Sequence, residues 1–326
     1  MQGTSDSLEH WTGKLVSGSR FALFCHKSPD GDTIGAALAL RLALLALGKD
    51  AVVYCEDPVP HSLCFLPGAE TVQNAPPASE GTRMTAVAVD VSSPEMMGSL
   101  QAAYDKCAAR LVIDHHISNP LYGEFNFVRG GESSCCLLVY EVIRELGIPI
   151  DADCATCLLL GMSTDTGHFR YANTSPETLE AAACLMRCGA VISDISRRMY
   201  RSQSAAKTEL TRRALNSLHY EAGRQIGIIV LRQKDYEQSG CTYAEADGLV
   251  NLALEIEGVR MAFLLSERDG VTKASLRAME PDTVNDIASA LGGGGHAQAA
   301  GCTLKMPVEE AEQAILIRMK DKLVVG

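Results

Sequence analysis

Residues 21–32 read FALFCHKSPDGD, an apolar run followed by one histidine and two aspartates, and the apolar helix pattern DTIGAALALRLALLALG continues from it over residues 32–48. FALFC has the length and composition of a buried strand, and Pro29 and Gly31 mark a turn where strand should pass into helix. A turn needs no more than that proline and glycine. Asp30 and Asp32, two residues apart, repel each other, so their placement with His26 at this junction predicts a positive partner between them.

The alternation set up here is repeated. AVVYC (51–55), TAVAVDV (85–91) with a helix expected to about Arg110, RLVID (110–114) and SSCCLLVYEVIRELG (133–147) predict strand alternating with helix, the signature of a parallel sheet covered by helices. Gly48 and Gly147 stand where helices should stop. From Asp194 to Leu218 the chain becomes basic and Ser-rich, DISRRMYRSQSAAKTELTRRALNSL, which predicts one long connecting helix with a solvated face. QIGIIVLR, RMAFLLSER and TKASLRAM then restore strand patterns before a glycine-rich stretch. The expected architecture is α/β: a parallel-sheet domain over 1–190, a linker helix over 191–220 and a smaller α/β domain over 221–326. A length of 326 residues fits two domains at about 150 residues each.

Hydrophobic residues make up 47% of the chain, enough for two cores, and the net charge is −11. An acidic surface repels extended polyanions, so long duplex DNA is an unfavourable partner and a phosphate-bearing substrate must be held locally. The twelve cysteines are scattered through apolar segments, which predicts buried thiols in a reducing, cytoplasmic setting. The opening MQGTSDSLEHWTGK reads as a polar, helical start rather than a signal peptide. ALALRLALLAL contains Arg41 and is too short to span a bilayer. Cys154 and Cys157, with Cys184 and Cys188, have zinc-like spacing but lie in helical patterns without a turn between them, so buried thiols are the favoured reading.

Three apolar runs end in acids or histidines: FALFC in His26, Asp30 and Asp32; TAVAV in Asp90; RLVI in Asp114, His115 and His116. The carboxyl ends of strands in an open parallel sheet share one edge, so these residues should converge. In LLLGMSTDTGHFRY an apolar helix is expected to give way at Gly161 to a loop carrying Asp165, His168 and Arg170. For Asp32 alone, a helix N-cap is an equally good reading. Glu56 and Asp57, which end AVVYCED without a partner histidine, read as surface charge. Taken together, Asp30, Asp32, Asp90 and Asp165 with His26 and His115 form a set that cannot be buried without cations. Two divalent ions balance four carboxylates, and oxygen and imidazole donors without thiolate suit Mn²⁺, with Mg²⁺ or Co²⁺ as alternatives.

HKSPDGD, VAVD, IDHH and MSTDTGHFR resemble, in order, the four motifs of the DHH phosphoesterases, and GGGGHAQAAG (292–301) resembles the motif of their companion DHHA1 domain. The resemblance runs from Phe21 to Leu304. It implies that His26, Asp30 and Asp90 hold one metal and that Asp32, Asp90, His115 and Asp165 hold the other. It also implies that Asp114 orients His115 from behind and that His116 faces the scissile phosphate. Four aspartates and two divalent ions sum to zero, so additional substrate charge is expected to be met by residues such as Arg170. In the second domain it assigns substrate binding to Arg277 and to Gly293, Gly294, Gly295 and His296. The compact length is similar to the subgroup hydrolysing short oligoribonucleotides to mononucleotides and pAp to AMP. Phosphodiesterases for linear or cyclic dinucleotides (pApA, c-di-AMP) are the alternative, ahead of an inactive nucleotide-binding module. Family members are often dimers, so a homodimer is the expected assembly, with no membrane partner.

Overall fold

The computed structural model describes residues 5–75, 83–201, 204–246, 248–295 and 297–325. The chain divides into two compact units, Met1–Ser202 and Gln203–Gly326. In the first, α1 (Leu8–Ser17) is capped by Ser7, whose Oγ accepts the His10 N–H, and buries Trp11 and Leu15. There follow β1 (Arg20–Phe24), α2 (Gly31–Ala46), β2 (Asp50–Tyr54), β3 (Thr85–Val89), α3 (Gln101–Tyr104), β4 (Ala109–Asp114) and β5 (Phe125–Val128). Helices α4 (Cys135–Glu145), α5 (Ala152–Asp165), α6 (Pro176–Arg187) and α7 (Ile192–Ser196) complete the unit.

All five strands are parallel, in the order β2-β1-β3-β4-β5. The order reverses between β1 and β3, and the crevice outside the carboxyl ends of such a pair is where open parallel sheets bind ligands. Phe24 is in register with Ala88, and Val89 with Ile113. Continuing that register by one or two residues brings His26, Asp90 and Asp114 to one level. Strand alternation sends Phe21 and Leu23 into the core built with α2, α4 and α5, and Ala22 and Phe24 into a second core with Met97, Leu100 and Tyr104.

Two local expectations change. The helix foreseen up to Arg110 is a 3₁₀ segment over Pro94–Leu100, broken by left-handed Gly98 (φ 60°), and then the single turn of α3. Gly161 does not end a helix, for α5 runs on to Asp165. The glycine is there because α2 and α5 pack closely: a Cβ at 161 would overlap Cys136 Sγ and lie 2.7 Å from Asp32 Oδ1. Gly35 serves the same approach, with the Cys157 carbonyl 2.5 Å from where its Cβ would be.

The second unit contains α8 (Ala205–Ser217), β6 (His219–Glu221), β7 (Ile226–Leu231), α9 (Gln233–Ser239), α10 (Asn251–Leu254), β8 (Met261–Arg268) and β9 (Val271–Ala278). It ends with α11 (Asn285–Ala290), β10 (Gly294–Gly295), β11 (Ala299–Leu304) and α12 (Val308–Val325). Its sheet has the order β10-β11-β9-β8-β7-β6, with β7 and β8 parallel and the remaining pairs antiparallel. The single linker helix expected over 191–220 is replaced by α7, a π-helical turn over Arg197–Arg201, and α8. Leu210 and Ala214 of α8 are buried with Ile229 and Leu231, so α8 is part of the second unit's core; exposed Arg212 pairs with Glu209, while Arg213 pairs with Glu209 and reaches Asp235 of α9. Among the described residues no helix is long and apolar enough to cross a membrane. All twelve cysteines are free, and none joins a metal-competent group of three among the described residues.

Candidate metal centre

Asp30 supplies the N-cap of α2: its Oδ1 accepts the N–H groups of Asp32 (3.0 Å) and Thr33 (3.1 Å). The capping reading considered for Asp32 therefore belongs to its neighbour. Asp32 itself is fully buried and reaches the start of α4, where Oδ2 accepts the Cys135 N–H (2.6 Å) and Oδ1 the Cys136 N–H (2.9 Å). A helix N-terminus favours a carboxylate, which helps hold Asp32 inside the protein.

Asp90 follows β3 with φ 60°, in the left-handed region that non-glycine residues seldom adopt. Its backbone N–H stays on the ladder through Ile113 O (3.0 Å), while its carboxylate, 2% exposed as a residue, turns into the crevice. His115 and His26 are oriented alike. His115 Nδ1 lies 2.9 Å from Glu132 O and His26 Nδ1 lies 2.8 Å from Lys27 O, so each ring donates through Nδ1 and presents Nε2 as a lone pair.

Those lone pairs point at oxygen. His115 Nε2 is 3.3 Å from Asp165 Oδ2, 3.4 Å from Asp90 Oδ1 and 3.8 Å from Asp32 Oδ2. His26 Nε2 is 3.7 Å from Asp30 Oδ1 and 3.8 Å from Asp90 Oδ2. Buried Asp90 Oδ1 and His115 Nε2 have no hydrogen-bond partner, and among the described residues no lysine or arginine pairs with these four aspartates. Acceptors facing acceptors inside a protein require a cation. The donor groups His26–Asp30–Asp90 and Asp32–His115–Asp165 each converge within 4.8 Å, which leaves room for a hard divalent ion with bonds of about 2.1 Å. The residues present thus fit a metal.

Electrostatics report the same crowding. Burial first, and then the charge of Asp165, pushes Asp32 up to about 7. Burial and the neighbouring Asp32, Asp30 and Asp165 raise Asp90 far above the carboxylate range. For His115 burial acts to lower the value, but the carboxylates of Asp165 and Asp32 close to its Nε2 lift it to about 9.

Asp114 departs from its expected role. The His115 ring is held by Glu132 O, and buried Asp114 instead accepts from His116 Nδ1 (2.7 Å) through Oδ1, which also receives the His115 N–H (2.8 Å). His116 also falls in a group with Asp90 and His115, but through Nδ1, the atom already committed to Asp114. Arg170 is exposed, and its Nε donates to Gly167 O (2.7 Å). Glu56 and Asp57 do more than carry surface charge: Asp57 Oδ2 accepts the N–H of left-handed Ser28 (2.7 Å), bracing the loop that holds His26, and Glu56 Oε1 accepts that of Ser99 (2.9 Å) in the 3₁₀ segment. The backbone carbonyls of Lys27 and Glu132, the N–H groups of Cys135 and Cys136, and Asn119 were not foreseen from sequence. Only Asn119, before Pro120, carries a local signal, that of a turn.

A model of the DHH family, N-terminal domain, matches residues 20–162, and a DHHA1 domain model matches residues 212–324. The bifunctional oligoribonuclease and PAP phosphatase NrnA of Thermus thermophilus is 34% identical over 316 residues, covering 95% of this chain and 92% of the relative. The chain belongs to the DHH family. The protein of the same name from Bacillus subtilis is 25% identical, over 86% of this chain and 87% of its own length. The crystal structure of an exopolyphosphatase-related protein from Bacteroides fragilis superposes with a TM-score of 0.89 at 25% identity, covering 94% of this chain and 95% of that one.

In the DHHA1 region of this DHH protein, half-buried Arg277 lies on β9 opposite Ala262 of β8 and Ala299 of β11, and its Nη1 donates to Leu276 O (2.9 Å). Gly293 and Gly295 are small because β11 runs against them: a Cβ at 293 would overlap Gly301 O, and one at 295 would lie 2.5 Å from Ala299 O. Gly294 faces open space. His296 lies outside the described residues.

Proposed function

We propose that this DHH-family phosphoesterase hydrolyses short oligoribonucleotides to mononucleotides and pAp to AMP, using two divalent ions. The observation that carries the reading is the convergence of four aspartates, Asp32 and Asp90 of them buried, on the Nε2 atoms of two histidines, with no lysine or arginine pairing with them among the described residues. The names of the relatives at 34% and 25% identity point to the substrate class. One ion would be held by His26, Asp30 and Asp90, the other by Asp32, Asp90, His115 and Asp165, with Asp90 shared. Mn²⁺ suits these donors, with Mg²⁺ or Co²⁺ as alternatives. When bound, such a pair supplies an activated water and neutralises phosphoryl charge.

The chain's own groups do the rest. His116, donating Nδ1–H to Asp114, turns Nε2 toward the scissile phosphate. Protonated there, it would donate to the leaving oxygen while Asp114 stabilises the imidazolium. Arg170 would meet the substrate's additional charge. Arg277, His296 and the backbone of Gly293, Gly294 and Gly295 would bind an anionic part of the nucleotide; a missing Cβ at Gly294, which the fold does not require, leaves such an approach open.

A turnover panel with Mn²⁺ tests the reading: di- to pentaribonucleotides, pAp, pApA, pyrophosphate and an RNA of about 20 nucleotides. Short oligoribonucleotides and pAp should be the best substrates, because two local anion sites on an acidic protein favour compact substrates over long polyanions. Pyrophosphate as the best substrate, or equal rates on short and long RNA, would reject it.

A further inference from the structure

We infer that Asn119 is a positioning residue that fixes His116 by clamping the carboxylate of Asp114; the inference rests on the proposed hydrolytic role of His116. Asp114 is fully buried, and its two oxygens have separate tasks. Oδ1 receives His116 Nδ1 (2.7 Å) and the His115 N–H (2.8 Å). Oδ2 receives Asn119 Nδ2 at 2.6 Å. The same Nδ2 donates to Val91 O (3.2 Å), and Asn119 Oδ1 accepts the Leu121 N–H (2.8 Å). With both polar atoms of the carboxamide engaged, its orientation is determined: the nitrogen must face Asp114 and Val91 and the oxygen must face Leu121. The Asn119 N–H closes a turn onto His116 O (3.2 Å), so the clamp and the ring it serves belong to one short loop.

Val91 is the residue after Asp90, and Asp114 ends β4. One side chain therefore ties together the exits of two adjacent strands, at the point where Asp90 adopts its left-handed conformation. Without the Nδ2 donor, Oδ2 is left buried with an unmet acceptor. The carboxylate then gains by rotating about its Cβ–Cγ bond toward another donor, and that rotation carries Oδ1 away from His116. Among the described residues the His116 ring, 30% exposed at its side chain, has no hydrogen-bond partner for Nδ1 besides Asp114, the nearest other acceptor being Asp90 Oδ1 at 3.6 Å. Tyr122 provides an internal control, because its hydroxyl also donates to Val91 O (2.9 Å) but bonds to no part of Asp114.

The test joins kinetics to a readout that needs no substrate. In ¹⁵N–¹H spectra of the histidine rings, the His116 Nδ1–H bonded to a carboxylate should give a downfield proton resonance. Asn119→Ala and Asn119→Ser should weaken or abolish it, and Tyr122→Phe should leave it in place. In turnover of a diribonucleotide, Asn119→Ala should lower kcat about 10- to 100-fold, the range for residues supporting a site from behind, with bound metal and KM little changed. In a His116→Ala background the same substitution should cost less than about twofold, since a residue acting through His116 has nothing left to position. Losses that multiply across the two backgrounds, or an unchanged His116 resonance in both Asn119 variants, would overturn the proposal. If Asn119→Ala does not fold, Asn119→Ser carries both measurements. If the wild type hydrolyses no phosphoester, the proposed function fails, while the spectrum still decides whether Asn119 holds Asp114 and His116 together.

Discussion

At the scale of single residues, the centre is a balance of charges that proton or metal must complete. Asp90 faces both histidines and belongs to the donor group around His26 as well as to the set around His115. Asp90→Asn keeps the shape and tolerates the left-handed backbone, yet removes the charge. It should reduce hydrolysis of every substrate by at least about 100-fold, beyond what supporting residues cost, and lower bound metal per chain by elemental analysis. Activity and metal content close to wild type would remove Asp90 from the centre. The raised values at Asp32 (about 7) and His115 (about 9) give a pH dependence of definite sign. Both exceed the unfolded values of about 4 and 6.5, so the protonated forms favour the fold. The Asp32 contribution is present below about pH 4 and lost as pH rises through about 7; that of His115 is present below about 6.5 and lost through about 9. Metal-free protein should therefore melt at lower temperature as pH climbs from about 6 to 9, while the stabilisation by saturating Mn²⁺ grows, because fewer protons compete for the ligands. Thermal melts in chelator and in Mn²⁺ across that range measure both trends, and a flat chelator curve would contradict the assignment.

At the scale of elements, Asp32 and Asp165 come together because α2 and α5 pack closely enough to exclude a methyl group. Gly161 sits in that contact, its position 2.7 Å short of Asp32 Oδ1 for any added Cβ. Helix propensity alone would make Gly161→Ala stabilising by about 1 kcal/mol. Overpacking costs about 1–3 kcal/mol and should win, since Asp32 and Cys136 are fully buried and interiors are close-packed. The expected result is a lower melting temperature together with weaker Mn²⁺ binding, although Gly161 itself offers no ligand atom. A melting temperature above wild type would mean that the helices can part without disturbing Asp32. The apolar periodicity of DTIGAALALRLALLALG made α2 legible, and the LLLG pattern made α5 legible. The end of α5 was misplaced because a glycine serving close packing and a glycine ending a helix look alike in a sequence.

At the scale of the whole molecule, the parallel-sheet unit carries the metal-competent groups and the mixed-sheet unit contributes none of them among the described residues. If Arg277 binds part of the nucleotide, its contribution should appear only with substrates large enough to use it. Arg277→Ala should then lower kcat/KM for a diribonucleotide or pAp by at least about tenfold, roughly 1.4 kcal/mol, while hydrolysis of a small activated phosphodiester changes little. Steady-state kinetics on both substrates distinguish this from a structural role, which would depress the two equally.

The sequence by itself determined the α/β architecture and the convergence of its acids and histidines. Strand period and helix period are local, and a parallel sheet leaves its carboxyl ends on one edge, so the places of His26, Asp90 and His115 at the ends of apolar runs already imply that they meet. It also pointed to cations at that edge, because four carboxylates crowded beside two histidines repel one another. Only the tertiary structure decided which atoms face one another. That Asp114 receives the ring of His116 rather than that of His115 depends on how the loop after β4 turns; that Asp32 takes the first N–H groups of α4, and that Glu132 O and Lys27 O aim the two imidazoles, depend on backbone groups. Every residue carries those groups, so no residue type announces them, and their direction is set only once the chain has packed.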